Sequence, residues 1–142
     1  MARGPTLAVI DASVVVKWFK DEDHSAEALA LRADWAAGKI SLHTVELLPF
    51  EVLNALRYDP TQTSQTLRML AANLLDYPFR VIPISEIAED TAENALRYGI
   101  TIYDAAYLTA AQHLGSKAYT ADQKLIAKVA GDTLHNITDY PC

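Results

Sequence analysis

Four acidic residues stand where an ionised side chain is out of place. Asp11 lies between two apolar runs in "LAVIDASVVVKWF", and Asp122 follows a short apolar run in "AYTADQKL". Glu51 and Asp104 lie on segments with helical periodicity, "PFEVLNALRY" and "ITIYDAAYLTAAQ". An ionised carboxylate in apolar surroundings is costly unless a positive partner compensates it. The positions of these acids therefore indicate a site that holds something positive.

A divalent cation is the partner that such acids would suit. If the carboxylates converge with neighbours roughly 5 Å apart, each pair repels by about 3 kcal/mol at an effective dielectric constant of about 20. The group could then not stay fully ionised without help. Oxygen ligands without Cys or paired His favour Mg²⁺ or Mn²⁺ over zinc. Because Mg²⁺ commonly meets phosphate oxygens, the acids predict phosphoryl transfer or phosphodiester hydrolysis.

Each acid alone also has a plainer structural explanation. Asp11 and Asp122 stand where a strand gives way to a helix, and Asp104 begins a helix. All three could therefore be N-caps that accept hydrogen bonds from free helix amides. Glu51 could belong to a solvated stripe that it shares with Asn54, three residues further along its helix. For single residues these alternatives stay open.

Short apolar strands alternate with helices along the chain, and this alternation predicts how the acids are positioned. We expect an α/β protein, a three-layer α/β/α domain with a largely parallel sheet of about five strands. Ligands in such sheets bind beyond the carboxyl ends of the strands, where Asp11 and Asp122 fall. Pro83 places the third strand at an edge or bulge, and Ser85 is expected to cap the helix that follows. The predicted strands are "TLAVID", "ISLHT", "RVIPI", "KAYTA" and "LHNIT".

The composition indicates one globular domain over residues 1–142. Hydrophobic residues make up 51% of the chain and charged residues 21%, which is typical of a folded domain of this length. The single cysteine, Cys142, allows no intrachain disulfide, and Asp11 and Lys17 interrupt the N-terminal apolar run too early for a membrane span or secretory signal. We therefore expect a cytoplasmic protein with no membrane partner. The formal net charge of -6 counts against passive binding of nucleic acid by phosphate neutralisation alone.

Four motifs in this order, "VIDAS", "PFEVLNAL", "YDAAYLTAA" and "YTADQKL", resemble those of PIN-domain nucleases, and especially of VapC-type toxins from prokaryotic toxin–antitoxin pairs. The resemblance runs from about Leu7 to Ile126. It implies a PIN-like fold and an endoribonuclease that hydrolyses RNA with Mg²⁺ or Mn²⁺. It also implies inhibition by a small antitoxin that covers the site, and a homodimer or higher homo-oligomer. We expect the dimer contact on the apolar helix "TLRMLAANLLDY".

The resemblance assigns roles to individual residues. The metal-binding and catalytic acids are Asp11, Glu51, Asp104 and Asp122. Polar residues that orient carboxylates or substrate are Ser13, Asn54 and Thr120. Apart from the resemblance, positive charge makes Lys17, Arg57 and Lys124 candidate phosphate contacts, with Arg97 and Lys117 as further cations. Each of them could instead be an ordinary solvated surface charge. Lys124 stands two positions past Asp122, where some relatives carry one more acid, so the number of metal ions, one or two, stays open.

Other functions fit parts of the same pattern. A receiver-type signalling domain is also a parallel α/β fold, but it would have two adjacent acids in the first strand-end turn, whereas "VIDAS" has one. A catalytically silent relative could serve as a binding module. A housekeeping RNA-processing or DNA-directed nuclease of the same fold differs from a toxin in its substrate and its neighbouring gene.

Overall fold

A parallel five-stranded sheet forms the centre of the protein. A computed structural model describes residues 4–142, so the first three residues of the predicted domain lie outside the described residues. The strands are β1 (Thr6–Ile10), β2 (Ile40–Val45), β3 (Arg80–Ile82), β4 (Lys117–Thr120) and β5 (Leu134–Asn136). Their order is β3-β2-β1-β4-β5, and all neighbours are parallel. The predicted α/β fold with about five strands is confirmed, and Pro83 follows an edge strand as expected.

Helices connect the strands and cover the sheet. They are α1 (Ala12–Phe19), α2 (Ser25–Ala36), α3 (Leu48–Leu56), α4 (Ser64–Asp76), α5 (Ile84–Tyr98), α6 (Ile102–Leu114) and α7 (Gln123–Lys128), followed by a 3-10 turn at Ile137–Asp139. The left-handed residues Gly99 and Gly115, both with φ 63°, end α5 and α6, a role that glycine performs without strain. None of the helices within residues 4–142 is both long and apolar enough to cross a membrane.

The strand order contains one reversal, and it lies beside β1. The chain runs outward from β1 to β2 and β3, then returns to the other side of β1 with β4 and β5. Because parallel crossovers are right-handed, α1 to α4 and α5 to α7 belong to opposite faces of the sheet. Such a reversal opens a crevice at the carboxyl ends of the two strands where it occurs. Asp11 directly follows β1, and Asp122 lies two residues after β4.

Side chains from both layers make a continuous core around β1. Val9, Ile10, Val14 and Val15 are fully buried, two on either side of Asp11 in the apolar end of β1 and the apolar start of α1. Trp18 and Trp35 pack near each other with ring centroids 6.1 Å apart. The rigid strand-to-helix junction at Asp11 follows from this packing.

The predicted cap of α5 is wrong. Helix α5 begins at Ile84 with Pro83 as its N-cap residue, in extended conformation with φ -63° and ψ 142°. Ser85 therefore lies inside the first turn and does not precede it.

Candidate metal centre

Asp11 is the buried acid at the crevice, and it also caps α1. Its side chain accepts a hydrogen bond of 3.4 Å from the backbone N–H of Val14. The structural alternative, that Asp11 is an N-cap, is therefore correct, but it does not account for the burial of the carboxylate. The residue is only 6% exposed, so its carboxylate is largely removed from water. Burial, opposed by hydrogen bonds, raises the pKa of Asp11 from 3.8 to about 6. Asp11 is therefore a carboxylate whose charge lacks full compensation.

Hydroxyl groups tie the ends of β1 and β4 together beneath Asp11. Ser13 Oγ donates a hydrogen bond of 2.6 Å to Asp11 Oδ1 and accepts one of 2.8 Å from the backbone N–H of Ala121. Thr120 Oγ1 lies 3.3 Å from Ser13 Oγ and accepts the N–H of Asp122 at 3.1 Å. These bonds fit the predicted orienting roles of Ser13 and Thr120, and they join two of the four acids in one network.

Asp122 caps α7 at the exposed side of the crevice. Its Oδ1 accepts a hydrogen bond of 3.1 Å from the backbone N–H of Leu125. The negative charge of Asp122 also raises the pKa of Asp104. Asp122 thus combines the ordinary cap role with a place beside the acids.

Asp104 interacts electrostatically with each of the other three acids. The alternative that it caps α6 is wrong, because Thr101 is the cap and its Oγ1 accepts the N–H of Asp104 at 3.0 Å. The carboxylate is therefore not used in capping. Burial chiefly, and then Asp122, raises the pKa of Asp104, while Lys128 opposes this shift. Asp104 in turn raises the pKa of Asp11 and of Glu51.

Glu51 reaches the same group from α3. It is half-buried, and burial raises its pKa, while a hydrogen bond of 2.7 Å from the hydroxyl of Tyr107 to Glu51 Oε1 lowers it. Its bond to a buried tyrosine rules out a fully solvated stripe. Asn54 is exposed on the same helix, three residues on, and lines a groove between α3 and α4 with Arg57.

The negative charges of these acids are poorly compensated. In the part of the chain that the structure describes, none of the four acids forms an ion pair with Lys, Arg or His. The same residues contain no group of three or more His, Cys, Asp or Glu side chains that could hold a metal ion as they are placed. The acids are therefore electrostatic neighbours, and they are not drawn together as closely as a finished set of direct ligands. Their donor chemistry, oxygen alone, fits Mg²⁺ or Mn²⁺.

Comparison with known proteins decides the family. Residues 8–132 match the family model of the PIN domain. The chain belongs to the PIN-domain family. Ribonuclease VapC3 of Pyrobaculum aerophilum is 32% identical to this PIN domain over 126 residues, which cover 84% of this chain and 92% of that protein. The predicted likeness to PIN-domain nucleases and VapC-type toxins is confirmed.

Solved structures share the fold of this PIN domain. Mycobacterium tuberculosis VapC20, described as a sarcin-ricin loop cleaving toxin, has a TM-score of 0.67 at 19% identity, covering 88% of this chain and 95% of that one. A toxin–antitoxin complex from Klebsiella pneumoniae has a TM-score of 0.63 at 22% identity, covering 92% of this chain and 97% of that one. At these identities the likeness establishes the fold.

The cations predicted to contact phosphate differ in their surroundings in the PIN domain. Lys17 is buried, and its ammonium group donates to Glu22 Oε1 at 3.1 Å and to the backbone oxygen of Asp23 at 2.6 Å. The ammonium group of Lys17 is thus paired within the protein, so we no longer propose Lys17 as a phosphate contact. Lys124 is exposed on α7, two residues after Asp122, and remains a candidate.

The other predicted cations lie on different elements. The guanidinium of Arg57 lies over the ring of Tyr58, 5.0 Å from its centroid. Arg97 pairs with Glu93 on α5 at 3.7 Å, and Lys117 begins β4, at the end of that strand opposite to the acids. These positions make Arg97 and Lys117 weaker candidates than Lys124.

Sequence reasoning missed two groups at the site. Tyr107 bonds Glu51, and Lys128 is the cation whose charge lowers the pKa of Asp104. A signal for Tyr107 was available, because a residue three positions after Asp104 shares its side of a helix.

Proposed function

We propose that this PIN domain is a metal-dependent endoribonuclease that hydrolyses RNA phosphodiester bonds, and that it acts as the toxin of a toxin–antitoxin pair. The observation that carries this proposal is that the charge of Asp104 acts on Asp11 and Glu51, and that of Asp122 on Asp104, beside the reversal in strand order. The name of its 32% identical relative, Ribonuclease VapC3, supports RNA as the substrate.

The residues that would hold the ion follow from their burial. We propose Asp11, Asp104 and Glu51 as ligands, directly or through water, with Asp122 completing the site or serving a second ion. Bridging water matters because the acids as placed are not a finished set of direct ligands, and Mg²⁺ keeps several waters when it binds proteins. A bound divalent ion lowers the pKa of a water nucleophile and stabilises charge on the phosphate and leaving oxygen.

The surrounding residues would orient the acids and the RNA. Ser13 fixes Oδ1 of Asp11, which also accepts the backbone N–H of Val14. The half-buried Asp104 keeps part of its side chain accessible, so an RNA phosphate could approach it. Lys124 and Lys128, both on α7, supply positive charge near Asp122 and Asp104. Asn54 stays a proposed contact for substrate or for Glu51.

An acidic protein can bind RNA in this way because local charge matters more than the total. Two divalent ions would add +4 to the formal charge of -6, leaving -2, and they would add it at the crevice itself. We therefore propose that RNA binds tightly only in the presence of metal.

We also propose an antitoxin partner, a homodimer and a cytoplasmic location for this PIN domain. Solved structures of similar fold include a toxin–antitoxin complex, which supports a small antitoxin as the inhibitor. The exposed apolar residues Met69 and Leu75 on α4 suit the predicted homodimer contact. A cytoplasmic location agrees with an RNA substrate.

Cleavage of RNA tests the proposal. Purified protein is incubated with a mixed RNA pool and Mn²⁺, with and without chelator, alongside Asp104→Asn. The matched control is Asp90→Asn, which makes the same change at an exposed acid on α5. We expect cleavage by the wild type and by Asp90→Asn, and its loss by orders of magnitude with chelator or in Asp104→Asn. Equal behaviour of all samples would contradict the proposal and favour a catalytically silent binding module.

The toxin role needs a separate observation. A small protein that co-purifies from the native host and stops the cleavage would support it. Cleavage without such an inhibitor would favour a housekeeping RNA-processing nuclease of the same fold.

A further inference from the structure

Tyr107 connects two helices that each carry one acid of the site. It lies on α6 three residues after Asp104, and its hydroxyl donates a hydrogen bond of 2.7 Å to Glu51 Oε1 on α3. Helices α3 and α6 come from different parts of the chain and cover opposite faces of the sheet. This one bond therefore fixes the carboxylate of Glu51 relative to the helix that holds Asp104.

The surroundings of Tyr107 exclude direct contact with RNA or bulk water. The residue is 2% exposed, so its hydroxyl can act only on its protein neighbours. Burial chiefly, and then the charges of Glu51, Asp11 and Asp104, raise the pKa of the phenol. Tyr107 is thus a neutral hydrogen-bond donor placed among three acids, and it uses its only donor on Glu51.

Orientation matters for a carboxylate in this position. Glu51 is half-buried, has no positive partner in the described chain, and carries a side chain with several freely rotating bonds. Repulsion from Asp104 would turn such a side chain away from the site before a metal ion arrives. Groups that hold metal ligands by hydrogen bonds typically contribute 10–100-fold to metal affinity or activity.

We propose that Tyr107 is a positioning residue of the metal centre, which holds Glu51 beside Asp104 so that a divalent cation meets a prearranged pair of carboxylates. This inference rests on the proposed function, because it requires that the acids bind a metal ion. It adds a residue that touches neither metal nor substrate and acts only through Glu51.

Binding of Mn²⁺, measured by electron paramagnetic resonance without RNA, tests the inference. The variants are Tyr107→Phe, Glu51→Ala and the double variant, with Asp104→Asn as the reference for a lost ligand. The matched control is Tyr140→Phe, because the buried Tyr140 also donates to a carboxylate, that of Asp34 on α2, which is none of the four acids. Circular dichroism and chemical unfolding confirm that each variant is folded.

We expect the Mn²⁺ dissociation constant to rise about 10–100-fold in Tyr107→Phe and to change by less than about twofold in Tyr140→Phe, as for a distant independent site. The double variant should bind no more weakly than Glu51→Ala, because Tyr107 acts only through Glu51.

Two results would overturn the inference while leaving the metal centre intact. One is wild-type affinity in Tyr107→Phe while Asp104→Asn loses binding. The other is a further loss in the double variant that equals the loss caused by Tyr107→Phe alone. If the wild type itself binds no Mn²⁺, the proposed metal centre is wrong and the inference fails with it.

Discussion

Ser13 Oγ lies 2.6 Å from Asp11 Oδ1 and donates a hydrogen bond to it across the first turn of α1. The same oxygen accepts the N–H of Ala121, just past the end of β4. One hydroxyl group thus holds the buried acid and joins the two strands on either side of the reversal in strand order. The position of Asp11 in the crevice depends on this contact.

Ser13→Ala should destabilise the protein. The change removes a donor from a buried carboxylate and an acceptor from the N–H of Ala121, and hydrogen bonds to charged groups contribute about 1.5–3 kcal/mol each. We expect the free energy of unfolding to fall by about 1–3 kcal/mol, as measured by urea unfolding with chelator. Ser116→Ala, which changes a half-buried serine before β4 whose hydroxyl donates to the backbone oxygen of Lys117 and to none of the four acids, is the control. Equal stability of Ser13→Ala and the wild type would contradict the role given to this hydroxyl.

The raised pKa of Asp11 predicts a stability that falls with pH in the absence of metal. The pKa is about 6 in the folded protein against an ordinary value of 3.8, so the folded state binds the proton more tightly. The contribution of Asp11 to the free energy of unfolding is therefore fully present below the lower value and is lost as pH rises through the upper one. The decline from Asp11 amounts to about 3 kcal/mol.

Asp11→Asn tests this pH dependence. Its side-chain oxygen can still accept from Val14 and Ser13, but it carries no charge to bury. We expect the variant to be more stable than the wild type at pH 7 with chelator, and its advantage to shrink as pH falls towards 4. The measurement is urea unfolding at a series of pH values. Parallel curves for the two proteins would show that the charge of Asp11 is not strained by burial.

Part of this site could be predicted from sequence because it depends on local order. Asp11 and Asp122 follow strands, and parallel strands end at the same edge of a sheet, so their neighbourhood follows from the alternation of elements. Local sequence could also have predicted Thr101 as the cap of α6, because Thr is a favoured N-cap residue and stands directly before the helix, whereas Asp104 lies inside its first turn.

The remainder depends on how distant elements pack. The bond from Tyr107 to Glu51 requires the relative placement of α3 and α6, which no local pattern specifies. Lys17 reads as a surface cation, but the loop after α1 folds back and supplies two acceptors for it. The cap assigned to Ser85 was wrong because α5 begins before it, at Ile84, directly after the extended Pro83.

Lys17 and Lys124 should behave differently when their charges are removed. Lys17→Met leaves Glu22 and the backbone oxygen of Asp23 without their donor, so we expect a loss of about 1–2 kcal/mol in unfolding free energy. Lys124→Ala should change stability by less than about 0.5 kcal/mol. It should instead weaken RNA cleavage and reduce its dependence on salt concentration. Urea unfolding and cleavage rates at two salt concentrations separate the two effects, and a reversed pattern would restore Lys17 as the phosphate contact.

The most direct test of the metal centre is anomalous X-ray diffraction from crystals of the protein soaked in Mn²⁺. We predict an anomalous peak in the crevice between the carboxylates of Asp11 and Asp104, with Glu51 or Asp122 reaching it directly or through water. The same peak should be missing from crystals of Asp104→Asn. A wild-type crystal with no peak in the crevice, or a peak that persists in the variant, would contradict a metal centre built from these acids.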